Sequence, residues 1–285
     1  MRFLWPAFKY FLYVCVTKNH NSMKSRRTIM LGFFALISLI GLANNYQNAT
    51  FEDYPVPAGS LQEMTYSTQE TTFQLWAPTA QQVELKLYAT AKGEKAVKRI
   101  AMKRSDDGTW HATVKGDQDG KFYTFNVRHE GKWLGENPGI NARAVGVGGK
   151  RGAIIDLRTT DPEEWCCDKA PQRNDIVIYE MHHRDFSMAE ASGMENKGKF
   201  LALTEHGTTT PGGHTTGIDH LRDLGVTHVH ILPSYDYFTV DEEHPEIPQY
   251  NWGYDPLNYN VPEGSYSTNA ADPKARIREF KQMVQ

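Results

Sequence analysis

The sequence predicts an antiparallel β-sandwich followed by the opening strands and helices of a parallel β/α layer. Three observations lead there. Between Thr71 and Thr160, short period-two runs alternate with Gly- and Asp-containing turns at the spacing of a sandwich. After residue 174 the runs become almost continuously apolar, as in strands buried on both faces of a parallel sheet. Directly after the second such run comes Gln249 to Ser267, crowded with aromatic rings among Asn, Gly, Pro and Asp.

The chain has 285 residues and 40% hydrophobic content, enough for two domains that each bury a core. A net charge of -3 gives no electrostatic footprint for nucleic acid. Three cysteines make no disulfide framework: Cys15 lies near the start, and Cys166 and Cys167 are adjacent, where a bridge would strain the backbone.

Residues 1–43 read as an upstream extension and an export signal. From Met23, Lys24, Arg26 and Arg27 supply a positive region, Ile29 to Leu42 an apolar core, and Gly41-Leu42-Ala43 a small-x-small cleavage site. The expectation is translation from Met23, cleavage after Ala43, and a periplasmic or extracellular product with no membrane attachment. A retained anchor is the alternative, although the apolar run is short for a span.

Residues 44–70, polar and with Pro55, Pro57 and Gly59, read as a linker. The sandwich is expected over 71–160. Its strand candidates are Thr72 to Trp76, Val83 to Tyr88, Val97 to Met102, Thr109 to Val114, Phe122 to Arg128 and Ala153 to Leu157. Asp107-Gly108, Gly116-Asp117, Asp119-Gly120 and Glu130-Gly131 provide turns. Trp76, Trp110 and Trp133 suit either sugar platforms or the core, and core packing is the expectation. Gly146-Val147-Gly148-Gly149 leads into a strand rather than a helix, which argues for a loop and against a phosphate cradle. Residues 161–174, with Pro162 and Pro171, read as the interdomain linker.

Asp175 to His182 and Val226 to Leu232 are the two parallel strands, joined through a glycine-rich loop and the amphipathic helix Gly217 to Gly225. The chain then presents Asp272 as N-cap and Pro273 at the first helical position, with Ile277, Phe280 and Val284 on one apolar face. No residue there ends the helix, so the sequence reads as cut in mid-element. His228 and His230 share a strand face, near which His182 also falls. Zinc needs three or four converging ligands, and no spacing here enforces that, so no metal is predicted. No cofactor is assigned either, and calcium is left open.

Gln249 to Ser267 reads as a structured loop. Flat amphipathic rings suit a pyranose, whose C–H face a Tyr or Trp covers while polar groups take the hydroxyls. The candidate sugar-binding residues are Tyr250, Trp252 and Tyr254, with Asn251 and Asp255 placed for hydroxyls; Tyr259 and Tyr266 complete the set of rings. The competing reading is that the rings anchor the loop to a core.

Tyr250-Asn251-Trp252-Gly253-Tyr254-Asp255-Pro256 resembles the heptapeptide of type I pullulanases, debranching enzymes of the α-amylase superfamily. Tyr179-Glu180-Met181-His182 with Arg184-Asp185-Phe186-Ser187 is similar to the first strand of that superfamily's barrel, and Leu224 to Pro233 to its second. His183 departs from the pattern, standing where relatives usually carry an aliphatic residue. Phe73 to Pro78 and Gly120 to Phe125 resemble the carbohydrate-binding-type module that precedes the barrel. The resemblance implies that residues 175–285 are the first β/α units of a (β/α)8 barrel, truncated, in a secreted glycoside hydrolase. Its action would be on α-1,6-glucosidic bonds of pullulan, starch or glycogen, with Tyr254 stacking on the sugar beside the cleaved bond.

Retaining glycoside hydrolysis needs two carboxyl groups about 5 to 5.5 Å apart. In this superfamily the catalytic Asp, Glu and Asp stand on later strands, so no catalytic residue is assigned to this chain and it is expected to be inactive alone. Glu180, Asp185, Asp236 and Asp255 lie near strand ends and are read as structural or substrate-orienting. The alternative to a debranching enzyme's N-terminal portion is a non-catalytic α-glucan-binding protein.

Overall fold

The computed structural model describes residues 50–93, 95–166 and 175–285. The chain divides into two units, residues 1–44 and 45–285. The first, with the expected export signal, lies outside the described residues; every described strand and helix belongs to the second. Among the described residues no helix is long and apolar enough to cross a membrane.

Two antiparallel sheets form the sandwich. The first orders β1 (Met64–Tyr66), β2 (Glu70–Trp76), β6 (Thr109–Lys115) and β5 (Lys103–Arg104). The second orders β4 (Lys98–Ala101), β3 (Gln82–Tyr88), β7 (Phe122–His129) and β8 (Lys132–Asn137), with β9 (Gly152–Ala153) also paired to β7. Alternation puts Phe73 of β2, Val83, Leu85 and Leu87 of β3, Ala112 and Val114 of β6, and Tyr123 and Phe125 of β7 into one core. Phe73 meets Tyr123 edge to face at 5.1 Å between ring centres. Trp110 is buried and donates to the Ala77 carbonyl, and Trp76 donates to Pro55. Both therefore serve packing, whereas Trp133 on edge strand β8 is exposed.

Three expectations change here, and one strand is added. The stretch expected as a linker contributes β1, whose Met64 and Tyr66 pack on the core; three residues are too few to show a period. The run expected as one strand over Val97 to Met102 ends at Ala101. Met102 turns inward, and β5 then joins the other sheet beside β6. The strand expected over Ala153 to Leu157 is only β9, because the Asp156 side chain accepts from the Arg158 backbone N–H and caps a 3-10 turn, Leu157–Thr160. Finally, β8 follows the expected Glu130-Gly131 turn, where both residues have positive φ, but is exposed along its whole length and so carries no alternation.

In the C-terminal portion, β10 (Ile178–Met181) and β11 (His228–Ile231) pair in parallel, Ile178 opposite His228 and Met181 opposite Ile231. The crossover carries α1 (Gly217–Asp223). Burial on both faces was the expectation, yet within β10 only Met181 is buried, and Ile178 and Val229 are exposed. The reason is where the helices go: α1 and α2 (Pro273–Val284) both pack on the 3-10 turn Phe200–Thr204, so that among the described residues no helix layers over the two-stranded sheet. The Asp272 carboxylate caps α2 by accepting from Lys274 N at 2.8 Å. Its apolar face runs through Ile277, Phe280 and Met283; Val284, expected there, is exposed.

Candidate functional site

β11 ends just before Pro233, and the chain returns as the hairpin β12 (Tyr235–Tyr237) and β13 (Pro256–Pro262). The aromatic stretch was expected to be loop throughout; instead its second half forms β13 and a 3-10 turn, Gly264–Tyr266. The heptapeptide lies in the connection between the hairpin strands, with its last residue, Pro256, opening β13.

The rings of the whole stretch Gln249 to Ser267 divide into two groups. Tyr250, Trp252, Tyr254 and Tyr259 are exposed at 60%, 61%, 70% and 69%, while Tyr266 is buried. Trp252 Nε1 donates to the Tyr250 hydroxyl, and Tyr259 packs on Tyr235 at 5.1 Å between ring centres. Asn251 and Asp255, placed by the sequence for hydroxyls, bond inside the loop. Asn251 Nδ2 donates to Asp255 Oδ1 at 2.7 Å and to Thr239 Oγ1 at 2.9 Å. Asp255 Oδ2 accepts from the Thr239 N–H and hydroxyl, and Asn251 Oδ1 accepts from Gly253 N at 2.6 Å. This is an Asx-type brace that stiffens the backbone carrying the rings.

Gly253 has φ +90, and a Cβ there would lie 2.6 Å from the Pro233 carbonyl oxygen. Only glycine lets the loop lie this close to the end of β11. On the other side His182, just after β10, presents Nε2 2.8 Å from the Asn251 carbonyl.

Below the loop lies a buried ionic cluster of Asp236, Glu242, Glu263 and Arg276. Arg276 of α2 donates to Asp236 Oδ1 at 3.2 Å, to Glu242 Oε2 at 2.8 Å and to the Ala270 carbonyl at 2.8 Å. Each carboxylate also accepts from uncharged donors: Asp236 from Asn258 Nδ2, Glu242 from the N–H groups of Gly148 and Gly264, Glu263 from those of Tyr237 and Ser265. Burial, aided by the Glu242 charge, pushes the Asp236 carboxyl up to about 8 and Glu263 up to about 7, against the pull of these donors. The three acids bring oxygens within 4.8 Å of one another, a spacing that suits a cation, and the Arg276 guanidinium supplies positive charge to it.

The cluster also explains the glycine-rich stretch. Gly148 N donates into it, Asn258 Nδ2 reaches the Gly149 carbonyl at 2.9 Å, and a Cβ on Gly149 would fall 2.5 Å from Asp236 Oδ2. The glycines let the sandwich approach the hairpin. Sequence reading singled out Asp236 but missed Glu242, Glu263 and Arg276, because no local pattern marks residues that meet across 40 positions of chain.

The other candidate groups are spread out. Glu180 pairs with His230 at 3.0 Å on the open sheet face, and His228 bonds its neighbour Thr227. Asp185 lies 3.4 Å from His182 and 3.6 Å from Arg184. The three histidines considered for zinc thus turn to different partners.

Residues 60–142 match the family model of carbohydrate-binding module 48, the isoamylase N-terminal domain. The pullulanase of Bacillus subtilis is 40% identical over 240 residues, covering 84% of this chain and 32% of that protein. The chloroplastic pullulanase 1 of Arabidopsis thaliana is 30% identical, over 77% of this chain and 26% of its own. A mutant pullulanase from Paenibacillus barengoltzii, solved in complex with maltotriose, superposes at a TM-score of 0.80 with 49% identity, covering 83% of this chain and 37% of that one. The chain therefore spans about a third of the length of these relatives. Identity at this level, running through both the sandwich and the hairpin, places the chain in the pullulanase family, of whose members it matches an N-terminal portion.

Proposed function

We propose that this polypeptide is the glucan-facing N-terminal portion of an exported debranching enzyme, one that hydrolyses α-1,6-glucosidic bonds in pullulan, starch or glycogen, and that alone it binds glucan without cleaving it. One observation carries the reading: Tyr250, Trp252 and Tyr254 stand exposed on a loop whose backbone is braced by Asn251, Asp255 and Gly253. Surface rings are ordinarily left mobile, and bracing them keeps them ready for a flat apolar ligand. Their place past the end of a parallel strand is where barrel folds hold ligands. Asn251 and Asp255 then act chiefly as the brace, and meet sugar hydroxyls only with the acceptor capacity the brace leaves. The complex of a relative with maltotriose supports an α-glucan as ligand. Export rests on the charged, apolar and small-residue order of residues 23–43.

The test is affinity electrophoresis of the whole chain in pullulan gels, with reducing ends assayed alongside. Retardation of the wild type is expected to weaken about five- to thirtyfold in Trp252→Ala and in Tyr254→Ala, a stacked ring being worth roughly 1–2 kcal/mol. No reducing ends are expected above background. Retardation that both variants retain would remove the loop from glucan binding; sustained turnover would refute the proposed lack of activity. Absence of turnover in this chain, with full activity once the chain is joined to the remainder of a relative's barrel, separates an enzyme portion from a self-sufficient binding protein.

A further inference from the structure

We infer that His182 is a positioning residue for the sugar loop: its Nε2–H holds the Asn251 carbonyl and so sets the presentation of Tyr250 and Trp252. The inference rests on the reading of that loop as a glucan surface.

The hydrogen bonds fix the donor. Asn251 offers a carbonyl oxygen, which only accepts, so at 2.8 Å the proton sits on His182 Nε2. The hydroxyls behind it agree. Tyr237 donates to the Pro233 carbonyl, which leaves its oxygen to accept from the Tyr266 hydroxyl at 3.2 Å. The Tyr266 oxygen in turn lies 3.3 Å from His182 Nε2 and takes a weaker share of the same proton. Every donor in this series points one way, from β10 through the buried tyrosines to the end of β11. Burial raises both phenols, Tyr266 to about 12, so they keep the protons the series requires.

The geometry places Trp252 between two fastenings. On one side the Asn251 carbonyl is held by His182; on the other, Gly253 lies against Pro233 and the Tyr237 hydroxyl. The His182 ring also lies 5.5 Å from the Tyr250 ring at an interplanar angle of 44°, and Tyr250 accepts from Trp252. One imidazole thus touches the ring before Trp252 and the carbonyl beside it. The His182 side chain is itself buried, so it acts through the loop without facing the ligand.

The experiment uses the whole chain labelled with 5-fluorotryptophan, with the Trp252 resonance assigned by its loss in Trp252→Phe. The variants are His182→Leu, which removes the donor, and His182→Gln, whose amide N–H reaches a similar position. In wild type and His182→Gln the Trp252 resonance is expected to be single and sharp, and to shift on adding maltotriose. In His182→Leu it is expected to broaden or split while the Trp76 and Trp110 resonances stay in place, and maltotriose affinity to fall about fivefold, as for one lost hydrogen bond. An unchanged Trp252 line and affinity in His182→Leu, or a loss that His182→Gln does not restore, would overturn the inference. The fluorine line needs no ligand. If Trp252→Ala binds maltotriose normally, the glucan reading falls, while the line shape still decides whether His182 orders the loop.

Discussion

Arg276→Met is expected to cost roughly 3–5 kcal/mol and to loosen the hairpin from the sandwich, the largest single effect foreseen for this chain. Arg276 is fully buried and is the cation held among Asp236, Glu242 and Glu263. A methionine of similar length would fill the space but leave three carboxyl groups facing one another without a guanidinium. The loss would spread, because the carboxylates also hold Gly148, Gly264, Tyr237 and Ser265 by their backbone N–H groups. The penalty should depend on pH in a definite direction. Asp236 and Glu263 already have raised values, and a carboxyl whose folded-state pKa exceeds its unfolded value stabilises the fold at low pH and loses that contribution as pH rises through the folded value. Without Arg276 both rise further, so the variant should be least impaired near pH 5 and most impaired near pH 8. Urea titrations of wild type and variant at these two pH values check it. A deficit that is the same at both, or below about 1 kcal/mol, would mean that the cluster contributes less than its burial suggests.

The sandwich was legible because its strands are half-buried, and half-burial writes itself as alternation. Val83, Leu85 and Leu87 point into the core while Glu84 and Lys86 take the opposite face, where Lys86 is itself buried against Glu136; the alternation of apolar and charged residues needs no tertiary information. Strand β8 was illegible for the complementary reason, since an edge with every residue exposed has no face to mark. The aromatic loop was found through composition, but not the fastening that makes it a candidate surface. His182 and Asn251 are 69 positions apart, and Gly253 is needed only because Pro233 lies beneath it. Likewise Asp255 reads from sequence as a group for sugar hydroxyls or a structural carboxylate, and only the fold shows it committed to Thr239 and Asn251. Local chemistry proposes which residues matter; partners far along the chain decide what each of them does.

His183→Leu should abolish an acid sensitivity built into the floor of this site. His183 is 1% exposed, wedged between Phe200 at 5.1 Å and Tyr266 at 4.8 Å, and neither ring nitrogen completes a hydrogen bond among the described residues. Burial is the main cause of a pKa lowered to about 4, with the neighbouring His182 adding to it; the Lys199 backbone lies near enough to oppose it without completing a bond. The folded-state value is below that of an unfolded histidine, so the unfolded chain binds the proton first. The stability tied to neutral His183 is complete above about pH 6.5 and drains away as pH falls toward 4, a loss of roughly 3 kcal/mol. Asp236 and Glu263 act in the opposite sense over part of this range, so the wild-type curve alone does not isolate the histidine. The difference between variant and wild type does. Leucine fills a similar volume with no polar atom to strand, so the variant should match or exceed wild type at pH 7 and lead it by a growing margin from pH 6.5 down to 4. Parallel stability curves across that window, measured by urea unfolding, would show that His183 gains a partner or solvent on protonation and is no acid-sensitive point. A widening gap would tie the packing beneath Tyr266, and with it the support of the His182 fastening, to the ambient pH.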